Sequence, residues 1–152
     1  MTVASIMHPD PLTLRADQTV GEAVRVVQEH RFRSMPVVEK DGTMIGQFGV
    51  HNLLAMIVPR VTTMRGGLRG IGFMHDDMDD LRRRVADEWD EPVRDHAQTE
   101  VNVVAPDAPL SQCVLALYNK QENLPVVDAK GKLIGILSYW DVIDKLVEGP
   151  GE

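Results

Sequence analysis

The chain has little of what would place it outside the cell, in a bilayer or on a nucleic acid. One cysteine, Cys113, in 152 residues excludes an internal disulfide framework. The opening Met1-Thr2-Val3-Ala4-Ser5 lacks the basic and apolar regions of a signal peptide, so the cytoplasm is the expected compartment. The longest nearly uncharged apolar stretch, Val50 to Pro59, is about half the roughly 20 residues needed to cross a bilayer, and no membrane insertion is expected. No Lys/Arg-rich stripe interrupts a net charge of -7, a balance that repels a phosphate backbone and makes nucleic acid a poor partner. Hydrophobic residues at 43% and charged ones at 26% are present in the proportions of a chain that folds. The length suits one domain, or two small halves sharing a core.

The chain repeats itself. Ser34-Met35-Pro36-Val37-Val38 returns as Asn123-Leu124-Pro125-Val126-Val127, and each copy is followed by a turn glycine, Gly42 or Gly131, and then Ile45-Gly46 or Ile134-Gly135. The shift, from 42 to 131, is 89 residues. Upstream, Val20, Ala23, Val24 and Val27 correspond to Leu110, Cys113, Val114 and Leu117, one apolar helical face in each copy. Asp17 and Asp107 are the expected capping residues of these helices. Met35 to Val38 and Met44 to Gly49 predict strands in the first copy, and Leu124 to Val127 and Leu133 to Ser138 predict them in the second. Helices are expected over His51 to Val58 and Tyr139 to Glu148. Each unit reads strand, helix, strand, strand, helix, an α/β (α+β) pattern. Units of roughly 55 residues gain by packing sheet to sheet across a pseudo-two-fold axis.

The expected division is a first repeat at 1–59, an insertion at 60–92, a second repeat at 93–148 and a tail at 149–152. Arg60 to Gly72 is basic and glycine-rich and reads as a mobile loop. His75 to Glu91 is acidic but helical in pattern. Met78, Leu81, Val85 and Trp89 lie on one side, and Asp76, Asp77, Asp79 and Asp80 stand at the positive end of the helix dipole.

The "MPVVEKDGTMIG" and "LPVVDAKGKLIG" cores, the amphipathic helix before each, and the openings Val3-Ala4-Ser5-Ile6-Met7 and Val93-Arg94-Asp95-His96-Ala97 resemble the cystathionine-β-synthase (CBS) domain. The whole chain resembles a tandem CBS pair, the Bateman module, with a helical insertion. The resemblance implies two pseudo-symmetric repeats with an adenosyl ligand, AMP, ADP, ATP or S-adenosylmethionine, bound in the cleft between them. It also implies a homodimer formed through helical faces, here Asn52 to Val58 and Val142 to Val147. With no attached catalytic domain in the sequence, the implied role is a stand-alone sensor acting in trans on an unidentified regulated protein. The ligand would be regulatory, and no catalytic cofactor is expected.

Nucleotide-binding relatives carry glycine, two apolar residues, Ser or Thr, two variable residues and Asp where the last strand meets the last helix. Gly135-Ile136-Leu137-Ser138-Tyr139-Trp140-Asp141 matches throughout. A helix N-terminus and the Ser138 hydroxyl suit a phosphate, and the Asp141 carboxylate can accept from ribose hydroxyls. Ser138-x-x-Asp141 is equally a capping box, complete without a ligand. By pseudo-symmetry the opposite wall is Leu12 and Thr13 on the first strand together with Ser34, Met35 and Pro36, of which Leu12, Met35 and Pro36 are also expected to pack the core. Arg33 is the candidate phosphate partner, or a solvated helix-end arginine. Ile136 and Trp140 complete this site, Trp140 stacking on a base or filling an interface or core.

The first repeat departs from the motif as Gly46-Gln47-Phe48-Gly49-Val50-His51-Asn52. Glycine replaces the hydroxyl and an amide the acid, giving a weaker second site at Gly49, His51 and Asn52, faced by Asn102, Asn123 and Pro125, or a purely structural half. His75 and Asp79 stand four apart but lack further ligands, so no metal site is expected. The glycine run Arg65 to Gly72 lacks the ending of a P-loop. Cys113 reads as a small core residue. His8, His30, His51 and His96 stand at no catalytic spacing, and no catalytic residue is assigned. The rival to a sensor is a ligand-free interaction scaffold built on the dimer and the acidic insertion.

Overall fold

A computed structural model describes residues 1–58, 77–120 and 123–149. The chain runs β1 (His8–Pro9), β2 (Leu14–Arg15), α1 (Val20–His30), β3 (Ser34–Val38), β4 (Met44–Gly49), α2 (Val50–Ile57), α3 (Met78–Ala86), α4 (Leu110–Lys120), β5 (Leu124–Val127), β6 (Leu133–Leu137) and α5 (Tyr139–Glu148). The described strands form two three-stranded sheets, ordered β2-β3-β4 and β1-β6-β5. In each half the two longer strands form an antiparallel hairpin. Its turn glycine, Gly42 at φ +91° or Gly131 at φ +84°, adopts a conformation that a side chain disfavours. The two turns meet. Met44 N-H donates to the Gly131 carbonyl at 3.0 Å and Leu133 N-H to the Gly42 carbonyl at 3.1 Å, a reciprocal pair about the pseudo-two-fold axis.

The strand β1 belongs to the first repeat by sequence but pairs with β6 of the second, His8 opposite Ile136 and Pro9 opposite Gly135. Gln98, from the start of the second repeat, pairs in the same way with Gln47 on β4. The exchange extends into the cores. Val3, fully buried, packs with Val104, Cys113, Leu117 and Leu137 of the second half. Val93, also fully buried, packs with Leu14, Val20, Val37 and Phe48 of the first. Each core is closed by the other half's opening segment. In packing terms the halves therefore do not divide where the repeat boundaries fall.

This crossing explains the repeated Ile-Gly pair. A Cβ on Gly46 would collide with the Gln98 carbonyl, and one on Gly135 with the Met7 sulfur and the His8 carbonyl. Glycine at the centre of each hairpin lets the foreign strand approach closely.

The segment after α3 caps α1. Val20 N-H donates to the Glu91 carbonyl at 2.8 Å and Gly21 N-H to the Trp89 carbonyl at 3.0 Å. Glu22 N-H donates to Thr19 Oγ1 at 3.1 Å, and Ala23 N-H to the Thr19 carbonyl at 3.0 Å. All four leading amides of the helix thus have acceptors. The Trp89 indole lies so close over Gly21 that a Cβ there would overlap it.

Several sequence expectations are corrected. Thr19 caps α1, and Asp17 lies against Arg15 at 3.6 Å instead. A side chain can reach the second or third amide of a helix only from the residue just before it, and Asp17 stands too far ahead. Asp107 is displaced likewise, since the Pro109 carbonyl accepts from Gln112 and Cys113 at the start of α4. Leu12 and Thr13, expected on a strand, lie between β1 and β2, because β2 begins only at Leu14. Its counterpart in the second half is a single bridge, Val104 to Val126. Val114, expected on the buried face of α4, is exposed. The insertion helix is shorter than expected, Met78–Ala86 against His75 to Glu91, because Asp77 caps it by accepting from Asp80 N-H at 2.9 Å. Met78 is exposed, while Leu81, Val85 and Trp89 are half-buried. The expected loop Arg60 to Gly72, with His75 and Asp76, lies outside the described residues.

Candidate functional site

Where the first half's β4 meets the opening of the second half, Gln47 and Gln98 exchange both backbone bonds, at 2.9 and 2.8 Å. Over this pairing lies a cavity of about 510 Å³. Gln47 lines it from the first half. From the second come Gln98, Glu100, Val101 and Asn102 on one stretch and Asn123 and Leu124 on another. Its wall is mostly carboxamide, and Gln98 Nε2 donates to the Glu100 carbonyl at 3.0 Å. Of the expected second-site residues, Asn102 and Asn123 are brought together here, whereas Pro125 is buried within β5. Gln47, Gln98, Glu100, Val101 and Leu124 were not singled out from the sequence. The repeat could have found two of them, because it carries Met35 onto Leu124 and Ile136 back onto Gln47, whereas the counterparts of Gln98, Glu100 and Val101, which are His8, Asp10 and Pro11 at the 90-residue shift that holds ahead of the first helices, were themselves not expected in a site.

Gly49, His51 and Asn52 are not among the residues lining this cavity. A Cβ on Gly49 would strike the Arg33 carbonyl and Ser34 Cα, so a serine cannot stand where the motif places its hydroxyl. Asn52 Oδ1 accepts from Gly49 N-H at 3.0 Å, and Asn52 Nδ2 donates to the His96 carbonyl at 3.2 Å. An aspartate could make the first bond but not the second. The amide therefore ties the start of α2 to the second half's opening, and His51 is exposed beside it. His96 itself is held by Glu91, Nε2 to Oε2 at 2.7 Å.

At the other end of the pseudo-symmetric pair, Ser138 and Asp141 form a complete capping box at the start of α5. Ser138 N-H donates to Asp141 Oδ2 at 2.8 Å, and Asp141 N-H to Ser138 Oγ at 3.2 Å. The box uses one carboxylate oxygen and one lone pair of the hydroxyl. Asp141 Oδ1 and the Ser138 hydroxyl proton have no partner among the described residues, so capping and ligand contact do not compete for the same atoms. Both side chains are half-buried.

The remaining residues of that site divide. Ile136, Thr13 and Ser34 are half-buried. Met35 and Pro36 are buried as packing residues, but Leu12, given the same expectation, is 50% exposed because it precedes the strand. Arg33 is exposed and lines a separate apolar hollow of about 270 Å³ between α1 and α2, with Val27, Phe32, Phe48 and Leu53. Trp140 is 59% exposed, its ring 5.4 Å from that of Tyr139, so it does not fill the core. Cys113 is buried, and desolvation pushes its thiol above the ordinary value.

Among the described residues no group of three His, Cys, Asp or Glu is placed to hold a metal. Asp79 pairs with Arg82 at 2.7 Å, and Asp80 with Arg83. No described helix is long and apolar enough to cross a membrane.

Two α/β half-domains that complete each other's cores across a pseudo-two-fold seam define a paired-repeat module. The family model for the CBS domain matches residues 3–59 and 93–148, so the chain belongs to the CBS-domain family and carries two copies in tandem. It is 25% identical over 159 residues to the uncharacterized protein MJ1426 of Methanocaldococcus jannaschii, covering 97% of this chain and 92% of that one. It is 26% identical over 152 residues to the CBS domain-containing protein CBSX2, chloroplastic, of Arabidopsis thaliana, covering 93% of this chain but 62% of that protein. Inosine-5'-monophosphate dehydrogenase of Methanocaldococcus jannaschii is 23% identical over 141 residues, which is 92% of this chain and 22% of the enzyme. Among solved structures, CBSX2 in complex with AMP superposes with a TM-score of 0.70 at 24% identity, covering 97% of this chain and 96% of that one.

Proposed function

We propose that the chain is a regulatory module that binds an adenosyl ligand at the seam between its CBS repeats and acts by binding, not by turnover. Support comes chiefly from the cavity of about 510 Å³ lined from both halves. Carboxamides such as Asn102 and Asn123 both donate and accept, the pattern that pairs with the N6 and N7 edge of adenine. The open Asp141 oxygen and the Ser138 hydroxyl supply, at the pseudo-equivalent end, acceptors and a donor for ribose or phosphate. That a relative of the same fold, CBSX2, was solved with AMP is consistent with this reading.

The module works in the cytoplasm as a homodimer and regulates a separate protein. The described surface suits association. Tyr118, Tyr139, Trp140, Ile143, Leu146 and Val147 leave an apolar face exposed on α4 and α5, whereas α3 packs against α2. Ligand binding regulates only if it favours one arrangement of the repeats over another.

Thermal unfolding with AMP, ATP and S-adenosylmethionine tests the proposal. A ligand at 100 times its dissociation constant stabilises the fold by about 2.7 kcal/mol. Asp141→Ala should lose that part of the shift arising at its own end while remaining folded. If no adenosyl compound shifts the wild type, the interaction scaffold becomes the better account.

A further inference from the structure

The hollow of about 270 Å³ between α1 and α2 shares no lining residue with the cavity at the seam, and its described wall comes from the first half alone. Val24 and Val27 of α1, Phe48 of β4 and Leu53 of α2 make that wall apolar. Val27 and Phe48 are buried, and Val24 and Leu53 half-buried. Arg31 and Arg33, both exposed, line it from the link between α1 and β3. Val50 N-H donates to the Arg33 carbonyl at 2.8 Å, which fixes that arginine's backbone against the start of α2. The described arginine ion pairs belong to Arg15, Arg82, Arg83 and Arg94, and neither Arg31 nor Arg33 has an ion-pair partner among the described residues. Arg31 ends α1 at φ +56°, a left-handed position that glycine fills without steric cost. Ending the helix does not require a cation there. Nor does the repeat require one: counted back from Ser34 and Asn123, Phe32 and Arg33 correspond to Gln121 and Glu122.

We infer that this hollow binds a small amphipathic anion, a medium-chain carboxylate, with its tail against Val24, Val27, Phe48 and Leu53 and its head on Arg31 and Arg33. The inference is independent of the adenosyl reading above. Pockets for drug-sized ligands begin at about 300 Å³ and combine an apolar wall with a few placed polar groups. This hollow has that composition at a slightly smaller size, which suits a short tail. The planar guanidinium fork matches a carboxylate in two parallel hydrogen bonds. A neutral apolar guest would leave both arginines unused, and a cationic one would be repelled by them.

Calorimetric titration of the whole chain with octanoate, octylamine and butyrate, below micellar concentrations, tests the inference. Octanoate should bind, and octylamine, with the same tail and the opposite charge, should not. Butyrate should bind at least about tenfold more weakly than octanoate, because most of the tail burial is lost. Arg33→Gln and Arg31→Gly should each weaken octanoate by about threefold, the size expected of an exposed charge pair. Glycine suits the backbone at position 31, so that variant keeps the fold. Leu53→Trp, which fills the hollow, should abolish binding, with a thermal melt to show that it folds; the arginine variants decide the matter if it does not. Saturating AMP should leave octanoate binding unchanged. Equal binding of octanoate and octylamine, displacement of octanoate by AMP, or no octanoate binding at millimolar concentration would overturn the inference. So would dissociation of a dimer by octanoate or by Leu53→Trp in sedimentation, which would assign the hollow to a second copy of the chain.

Discussion

Asn52 and Asp141 occupy corresponding places at the starts of α2 and α5, and their bonds differ by one donor. Asn52 bridges Gly49 N-H and the His96 carbonyl, whereas the bonded oxygen of Asp141 serves only Ser138 N-H. Asn52→Asp would set a carboxylate against a carbonyl and should lower stability by about 1–3 kcal/mol. Asp141→Asn keeps an accepting oxygen and should cost under about 1 kcal/mol. Urea denaturation of both variants measures the difference, and equal midpoints would mean that the His96 contact contributes nothing. Cys113 yields a pH prediction. Burial raises its thiol in the folded state, so folding favours the protonated form. That stabilisation is fully present below the ordinary thiol range, near pH 8.5, and fades as pH rises through the raised folded value. Stability measured from pH 7 to 10 should therefore fall more steeply in the wild type than in Cys113→Ala. The native thiol should resist alkylation at pH 8 until the protein is unfolded, and rapid labelling of the folded chain would contradict its burial.

At the scale of elements, the hairpin glycines link sequence to fold. Gly46→Ala drives a methyl into the backbone carbonyl of Gln98, whereas Gly135→Ala meets first the sulfur of Met7, the movable end of a flexible side chain. Both should destabilise, by about 1–3 kcal/mol, with Gly46→Ala the worse of the two. Thermal melts of the pair decide it, and a reversed order would show that the Gln98 strand yields more easily than Met7. The recurrence of these glycines was plain in the sequence, as were the hairpins, the two amphipathic helices and the Ser138–Asp141 box. Each rests on a local signal of spacing and turn chemistry. What lies against the glycines was not legible, because the opening segments of Val3 and Val93 resemble each other in sequence without saying which core each valine enters. The cap of α1 was misread for a related reason. Asp17 and Thr19 are both capping residue types, and only the position of Val20 as the first helical residue decides between them. Glu100 and the amides around it carry no motif at all; the chain's own repeat relates Gln47, Asn102 and Asn123 to Ile136, Leu12 and Ser34, expected at the other end, but Gln98 and Glu100 to His8 and Asp10, which were not.

At the scale of the whole molecule, exchange of the opening segments means that neither repeat has a complete core of its own. Val93 is fully buried among Leu14, Val20 and Val37, and the carbonyls of Trp89 and Glu91 cap α1. Without them the first repeat loses a core valine and exposes two helix amides, a combined loss of about 2–4 kcal/mol. A unit of that size has little stability to spare. Residues 1–58 produced alone should thus lack a cooperative thermal transition, as should residues 77–149, which lose Val3 in the same way. Mixed together, the two fragments should recover the circular dichroism and sigmoidal unfolding of the intact chain, at a midpoint that rises with concentration because association has become bimolecular. A first fragment that folds cooperatively alone would show that the exchanged segments decorate two independent domains. In the exchanged fold, the Gln47–Gln98 pairing that floors the cavity also joins the halves, so a ligand bound there should raise that midpoint by tightening the association itself.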